Sequence, residues 1–334
     1  MINNENILNK LQEENIDSML VFKPENIKYM SNFFPSSFSY IIIKDKPILY
    51  VSSLDKETAQ KESEIEIREL LSKDELRKEF QGNTAVEETL DLRMANTITE
   101  DISKLNISNV ILESRAIKTK EEIEKIKKSI KIAEKSIKEI DFTGTEKEAA
   151  ASLEYNMMKN GSIKPAFDTI VASGTKSSSP HSVSTNDRVS TPIVVDWGAR
   201  YDHYCSDITR TFIESERQEE IWNIVREAQQ EGIKTVGENV KLSDVDNACR
   251  EVITEYGYGE YFIHSTGHGF GLEIHEAPNV SFNSEGYLKE NMIVTVEPGI
   301  YIPGEFGVRI EDDVLVKKQG KVLTSIDKKL DFTL

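Results

Sequence analysis

All five histidines of this chain, His181, His203, His264, His268 and His275, fall within one stretch of fewer than a hundred residues. Imidazole ligates metals and transfers protons near neutral pH, so confining the whole stock to one region says more than any single histidine could. Three of them sit in HSTGHGFGLEIHEAPN, residues 264–279. His264 and His268 are four apart, as in a helical metal site, but Gly267 interrupts a helix there and the HExxH glutamate is missing. Gly267, Gly269 and Gly271 run G-x-G-x-G, a weak match to a phosphate-cradling loop. The same glycines suit a loop entering a strand, where the backbone passes close to a ligand and the histidines line a cavity. A core in which the histidines merely hydrogen-bond is the fourth reading. Acidic partners would decide between them.

Such partners occur twice. In TPIVVDWGARYDHYCSDITRTF, a hairpin turning about Tyr201 and Asp202 makes Asp196 and Asp207 cross-strand neighbours on one face. In MIVTVEPGIYIPGEFGVRIEDDVLV, a turn centred on Gly304 sets Glu297 opposite Glu311. Strand alternation turns Thr209 toward the cavity of Asp207, and Arg309 toward that of Glu311. The threonine hydroxyl can orient a carboxylate, and the arginine can hold a substrate carboxylate or carbonyl. Any one of these acids alone reads as a solvated strand-end residue. Together with one imidazole, four carboxylates make a hard ligand set suited to two divalent ions such as Mn, Co, Fe or Zn. Without a cation they would repel one another and raise each other's pKa.

The order Asp196, Asp207, His268, Glu297, Glu311, with GHGxGLxxHE, EPGxY and VRIED, resembles the pita-bread metallopeptidases over about residues 110 to 320. That family includes methionine aminopeptidase, aminopeptidase P, prolidase and the metal-free creatinase. The resemblance implies a C-terminal pseudo-two-fold pita-bread catalytic domain whose two metals share a bridging water, supplying hydroxide near neutrality. It implies that Asp207 and Glu311 bridge both ions, that Asp196 completes one site, and that His268 and Glu297 complete the other. Glu297 would also shuttle protons, His275 would donate to the carbonyl oxygen or tetrahedral intermediate, and His264 and His181 would contact substrate. Tyr301 and Arg309 match substrate-side positions of the proline-specific members. A long N-terminal region speaks against methionine aminopeptidase, and the intact ligand set against creatinase. What remains is cleavage before proline. A prolidase-type action on Xaa-Pro dipeptides is favoured by the short chain and the compact GHGFGLEIHE. The alternative is an Xaa-Pro aminopeptidase acting on longer peptides, and behind it a non-catalytic peptide-binding module, a class in which ligands have been lost. Homodimerisation is implied by the family.

The elements that must position these groups fit an α/β (α+β) chain of 334 residues in two domains, 1–115 and 116–334. The first resembles a creatinase-like N-terminal α/β domain by position and length, with NIKYMSNF, residues 26–33, the most suggestive piece. Its reading is a helix around Ile7, Leu8 and Leu11, a strand at Met19 to Phe22, and a strand pair at Phe38 to Ile43 and Pro47 to Ser52. A helix from Leu54, a strand near Ile65 to Leu70, helices near Asp74 and Ile98, and a closing strand at Val110 to Leu112 follow. Capping boxes at Thr119/Glu122 and Thr145/Glu148 open two helices, the first with a core stripe of Ile123, Ile126, Ile130, Ala133, Ile137 and Ile140. A strand at Phe167 to Ala172 and a Ser-rich loop with His181 lead to the aspartate hairpin, whose turn carries a surface His203. Helices at about 216–236 and 243–257, the latter capped by Ser243 and Asp246, precede the histidine segment and the glutamate hairpin. Two helices followed by strands, twice over, predict a repeat with one acidic hairpin per half and a site at the join.

Lys and Arg number 41 against 58 Asp and Glu, a net charge of −17, which disfavours nucleic acid and anionic membrane as partners. Only Cys205 and Cys249 are present, so no disulfide framework exists, and Cys205 reads as a plain buried thiol. The N-terminus has neither a basic start nor a continuous apolar run, and the expected location is cytoplasmic.

Overall fold

Two apolar runs joined by a three-residue turn found the first sheet. Ser39–Ile43 pairs antiparallel with Pro47–Val51, and the rings of Tyr40 and Tyr50 stack at 5.2 Å between centroids. These are strands β2 and β3 of a computed structural model that describes residues 4–80 and 82–332. The chain divides into two units, Met1–Arg115 and Ala116–Leu334. In the first, β1 (Ser18–Val21), β4 (Glu66–Glu69), β5 (Thr84–Val86) and β6 (Leu105–Ile107) complete a sheet of order β4-β3-β2-β1-β5-β6. Helices α1 (Asn4–Glu13), α2 (Pro24–Ser31), α3 (Lys56–Glu62), α4 (Lys73–Glu79) and α5 (Leu92–Ile98) alternate with the strands. Leu20, Tyr40, Ile42, Leu76, Met94 and Ile98 share one buried cluster.

The expected closing strand at Val110 to Leu112 is instead the first turn of helix α6 (Val110–Ala116). Ser108 and Ser114 explain this: the Ser108 hydroxyl accepts from the Val110 N–H, and the Ser114 hydroxyl donates to the Val110 carbonyl one turn back. The strand that closes the sheet is the more polar Leu105–Ile107, an edge strand half-exposed to solvent.

The second unit opens with α7 (Lys120–Ile137) and α8 (Glu146–Lys159), each with its capping box formed at Thr119 and Thr145. The α7 stripe from Ile123 to Ile137 is buried, while Ile140 lies past the helix end and is half-buried. Next come β7 (Ile170–Ser173), β8 (Ile193–Trp197), β9 (Arg200–Tyr201), β10 (Tyr204–Cys205) and β11 (Ile208–Phe212). The α7 helix fixes β8: Trp197 Nε1 donates to the Ala133 carbonyl at 3.0 Å, and Ser129 Oγ to that of Ala199 at 2.7 Å. Then α9 (Glu216–Thr235) and α10 (Leu242–Glu255) repeat the helix pair, followed by β12 (Gly267–Gly269), β13 (Glu276–Val280), β14 (Ile293–Val296), β15 (Gly299–Ile302), β16 (Phe306–Arg309), β17 (Asp312–Leu315) and β18 (Lys321–Val322). Sheets of order β11-β8-β7 and β13-β12-β14-β17-β18, each with a two-stranded extension, β9/β10 and β15/β16, make the two halves.

The two hairpins differ in how well their register was legible. Gly299 faces Arg309 and Val296 faces Asp312, the register that the turn at Gly304 requires, and Gly304 takes a φ of 77°. In the aspartate hairpin Asp196 faces Thr209, not Asp207. The turn sits one residue later than expected, at Asp202 and His203, whose φ angles of 45° and 70° place both in the left-handed region of a two-residue hairpin turn. Asp207 therefore stands diagonal to Asp196 on the same face. The halves join where β11 runs beside residues 309–311: Glu311 N–H donates to the Thr209 carbonyl at 3.1 Å, and Thr211 Oγ1 to that of Arg309 at 2.8 Å. Among the described residues no helix is long and apolar enough to cross a membrane.

Candidate functional site

The join brings both acidic hairpins to one buried place. Thr209 Oγ1 donates to Glu311 Oε2 at 2.6 Å and accepts from Arg309 Nε at 3.1 Å. The Arg309 guanidinium then reaches Asp196 Oδ2 at 2.6 Å through Nη2 and the Tyr301 hydroxyl at 2.9 Å through Nη1. Tyr301 in turn meets His264 Nε2 at 2.9 Å. Because His264 Nδ1 lies 2.8 Å from the Ser265 carbonyl, that nitrogen carries the proton and Nε2 accepts from the tyrosine.

His268 arrives from β12 by a backbone route that only glycine permits. Its N–H donates to Thr295 Oγ1 at 3.1 Å, and a Cβ on the preceding Gly267 would come within 2.1 Å of the Thr295 carbonyl oxygen. Gly267→Ala should therefore push β12 off β14 and cost about 1–3 kcal/mol of stability, measurable by urea denaturation. His268 Nδ1 is 3.1 Å from the Gly269 carbonyl, so the proton sits there and the Nε2 lone pair faces inward. It lies 3.5 Å from Asp207 Oδ2 and 3.4 Å from Glu297 Oε1. Ligand atoms of Asp207, His268 and Glu311 lie within 4.8 Å of one another.

Apart from the Arg309 guanidinium at its edge, the groups that converge on that space are electron-pair donors. The buried Asp196 Oδ1 and Glu311 Oε1 have no hydrogen-bond partner. Burial pushes Asp207 and Glu311 well above the ordinary carboxylate range, and the neighbouring acids, Glu297 and Asp196 among them, push further. Burial takes Glu297 up to about 8 against the pull of Arg309, and raises Asp196 against the same arginine. Burial also holds His264 and His268 down to about 4, helped by Arg309 and His275 respectively, so both imidazoles are neutral. Neutral imidazole with its far N–H on a carbonyl, facing carboxylates that repel, is the donor set of a divalent cation site.

The remaining predicted residues lie around this centre. The ring of His275 packs edge-on against His268 at 4.5 Å between centroids and is itself exposed. His181 is exposed on its loop, close enough to act electrostatically on Asp196 and His264. His203 lies on the hairpin turn and is half-buried. Cys205 is buried and outside any disulfide, and its thiol donates to the Leu272 carbonyl at 3.8 Å.

Several positioning groups were not legible beforehand. The fully buried Glu146 accepts from the N–H and hydroxyl of both Ser173 and Thr185, closing the base of the His181 loop. As the residue after an N-cap it reads from sequence only as an acid suited to the helix dipole. The buried Lys118 pairs with Glu276 at 3.0 Å, and Glu276 accepts from Glu273 N–H, which shapes the turn before His275. Asp246, expected as a cap of α10, is not one. The N-cap position is Lys241, and Asp246 points to Arg250 and to the N–H of Thr266.

Comparison with known proteins adds a family match. The model of metallopeptidase family M24 matches residues 124–318, and that of the creatinase/prolidase N-terminal domain matches residues 4–132. The Xaa-Pro dipeptidase of Pyrococcus furiosus is 43% identical, over 98% of this chain and 98% of that protein. The crystal structure of the prolidase from Pyrococcus horikoshii OT3 superposes with a TM-score of 0.92 at 40% identity, covering 98% of this chain and 99% of that one. An X-Pro aminopeptidase from Thermotoga maritima superposes with a TM-score of 0.86 at 38% identity, covering 96% and 99%.

Proposed function

The chain belongs to metallopeptidase family M24, and from that premise we propose that it is a metal-dependent exopeptidase hydrolysing the bond before proline in Xaa-Pro dipeptides. The observation that carries this reading is the inward Nε2 lone pair of a neutral His268 set among buried, mutually repelling carboxylates. Asp196, Asp207, His268, Glu297 and Glu311 would hold two divalent ions, Mn, Co, Fe or Zn. When bound, such ions acidify water and polarise the scissile carbonyl.

The chain's own groups do the rest. Glu297 takes the proton from the attacking water and returns it to the proline nitrogen as the bond breaks. His275, exposed beside His268, donates to the carbonyl oxygen. Arg309 spends its Nε on Thr209, its Nη1 on Tyr301 and the Pro180 carbonyl, and one Nη2 hydrogen on Asp196, which leaves one N–H for a substrate carboxylate or carbonyl. His264 and His181 flank the substrate, His181 from its stapled loop. Tyr301 orders two of these groups at once. Tyr301→Phe removes a hydrogen bond of about 1 kcal/mol on each side, so KM should rise about fivefold while kcat changes less.

Proline released from alanyl-proline and prolyl-alanine released from alanyl-prolyl-alanine, measured with Mn or Co and with chelator, test the assignment. Metal-dependent cleavage of the dipeptide supports it. Preference for the tripeptide assigns an Xaa-Pro aminopeptidase, the activity named for the Thermotoga structure, and metal binding without cleavage a peptide-binding module. A homodimer, to be checked by light scattering, and a cytoplasmic location belong to the same proposal.

A further inference from the structure

One ion pair outside the acidic centre holds the segment that delivers His264 and whose Thr266 carbonyl accepts from the Glu297 N–H. On α10, Asp246 and Arg250 lie one turn apart. Arg250 Nε donates to Asp246 Oδ2 at 2.8 Å, and Nη2 to Oδ1 at 3.1 Å, with the aspartate fully buried. The rest of the guanidinium faces residues 262–264: Nη1 donates to the Phe262 carbonyl at 2.8 Å and Nη2 to that of His264 at 3.0 Å. The Phe262 ring lies against it, 4.2 Å from the guanidinium carbon. Asp246 Oδ1 accepts from the Thr266 N–H at 3.0 Å, and the Thr266 carbonyl accepts from the Glu297 N–H at 2.8 Å.

A single i,i+4 pair thus grips the backbone on both sides of Ser265. Two carbonyls go to the arginine and one N–H to the aspartate. From Arg250 the bonded path runs through His264 and its ring to Tyr301 and Arg309, whereas the path through Thr266 to Glu297 starts at Asp246, which a lysine at 250 would still neutralise. Such a pair on a helix ordinarily steadies its own helix slightly and positions nothing else. Here the fork of the guanidinium is what matters, since two of its bonds leave the helix. Lysine could neutralise Asp246 but could not also bridge two carbonyls 12 and 14 residues away.

We propose that Arg250, held by Asp246, is a positioning residue for the peptidase reaction: it sets the ring of His264 against Tyr301 and so fixes the substrate side of the site. The inference rests on the exopeptidase reading for its kinetic consequence, but its structural claim stands apart from turnover.

The test uses the full-length chain loaded with Mn²⁺, as wild type, Arg250→Lys, His264→Ala and the double variant. Arg250→Lys should lower kcat/KM for alanyl-proline about 10- to 100-fold, the cost of misplacing a substrate-side group by a fraction of an ångström to an ångström. Its Mn²⁺ affinity by calorimetry should stay within about twofold of wild type. In the His264→Ala background the same substitution should cost less than about twofold, because its route to the reaction is already gone. A role in stability alone would lower the melting temperature and leave kcat/KM of the folded enzyme unchanged, and that result overturns the proposal. So does an undiminished penalty in the His264→Ala background. The second readout, taken on the chain loaded with diamagnetic Zn²⁺ because Mn²⁺ broadens nearby signals, is the set of ¹H–¹⁵N ring resonances of His264, assigned by their absence in His264→Ala. Arg250→Lys should move them and leave those of His203 in place, and unmoved resonances overturn the proposal. If the wild type cleaves no dipeptide, the exopeptidase reading falls, and the ring resonances still decide whether Arg250 sets His264.

Discussion

Asp207→Asn will fold, will resist heat better than the wild type when both are stripped by chelator, and will lose dipeptide cleavage. The three parts have one cause. Burial first, and then Glu311, Asp196 and Glu297, raise the pKa of Asp207, so the metal-free chain can fold only by burying its charge or by taking up a proton, and either opposes the folded state. Asparagine keeps the shape and removes that charge. The stripped variant should therefore melt higher, by roughly 2–4 °C for each kcal/mol relieved. The same change removes an anionic oxygen that His268 and Glu311 need as their neighbour around a cation. Loss of several kcal/mol of carbonyl polarisation and water activation corresponds to a rate loss on the order of 10³-fold or more. Differential scanning fluorimetry with and without Mn²⁺, paired with a proline-release assay, measures all three. A variant that keeps activity, and keeps the wild-type rise in melting temperature on adding Mn²⁺, would show that Asp207 holds no metal.

How much of this was legible in the sequence depended on whether one local rule governed the outcome. The glutamate hairpin was legible because Gly304 pins the turn, and one glycine in the left-handed region sets the pairing of Val296 with Asp312. The aspartate hairpin was less so. Asp202 and His203 both adopt positive φ, a conformation no glycine advertised, and the register moved so that Thr209 took the place opposite Asp196. The face survived the change because the shift was by two residues, and a strand repeats every two. Both capping boxes and the α7 stripe from Ile123 to Ile137 were local and appeared as read, whereas Ile140 fell past the helix end. Val110 to Leu112 misled because three apolar residues suit a strand and a buried helix turn equally well, and hydroxyls at 108 and 114 settled it. The groups whose roles escaped, Glu146, Lys118, Arg250 and Asp246, the last read only as a helix cap, act over separations from 12 to 158 residues. Each looked like an ordinary charge on a helix or at its start, and nothing short of the tertiary structure says which backbone it holds.

The chelated protein will lose stability as pH rises from about 4.5 to about 8, and Mn²⁺ will restore more of it the higher the pH. Glu297 titrates near 4.5 when exposed and at about 8 in the folded chain. Between those values the folded state holds a proton that the unfolded state has released, so stability falls as pH climbs. The stabilisation is complete below the lower value and is lost on passing the upper one. For Glu297 alone the shift corresponds to a few kcal/mol, and Asp207, Glu311 and the buried Asp313 are displaced in the same direction. Bound cations reverse the dependence for the ligands, because a carboxylate must shed its proton to bind, and binding to the folded state alone adds stability by mass action. Melting temperatures at about pH 5, 6, 7 and 8, in chelator and in excess Mn²⁺, should therefore diverge with rising pH, the chelated curve falling and the loaded curve holding level or rising. Parallel curves would mean that the carboxylates stay charged without metal, and that water or the protein itself already compensates them. In that event the raised pKa values would have no bearing on metal binding, and the case for these acids as a cation site would rest on the inward lone pair of His268 alone.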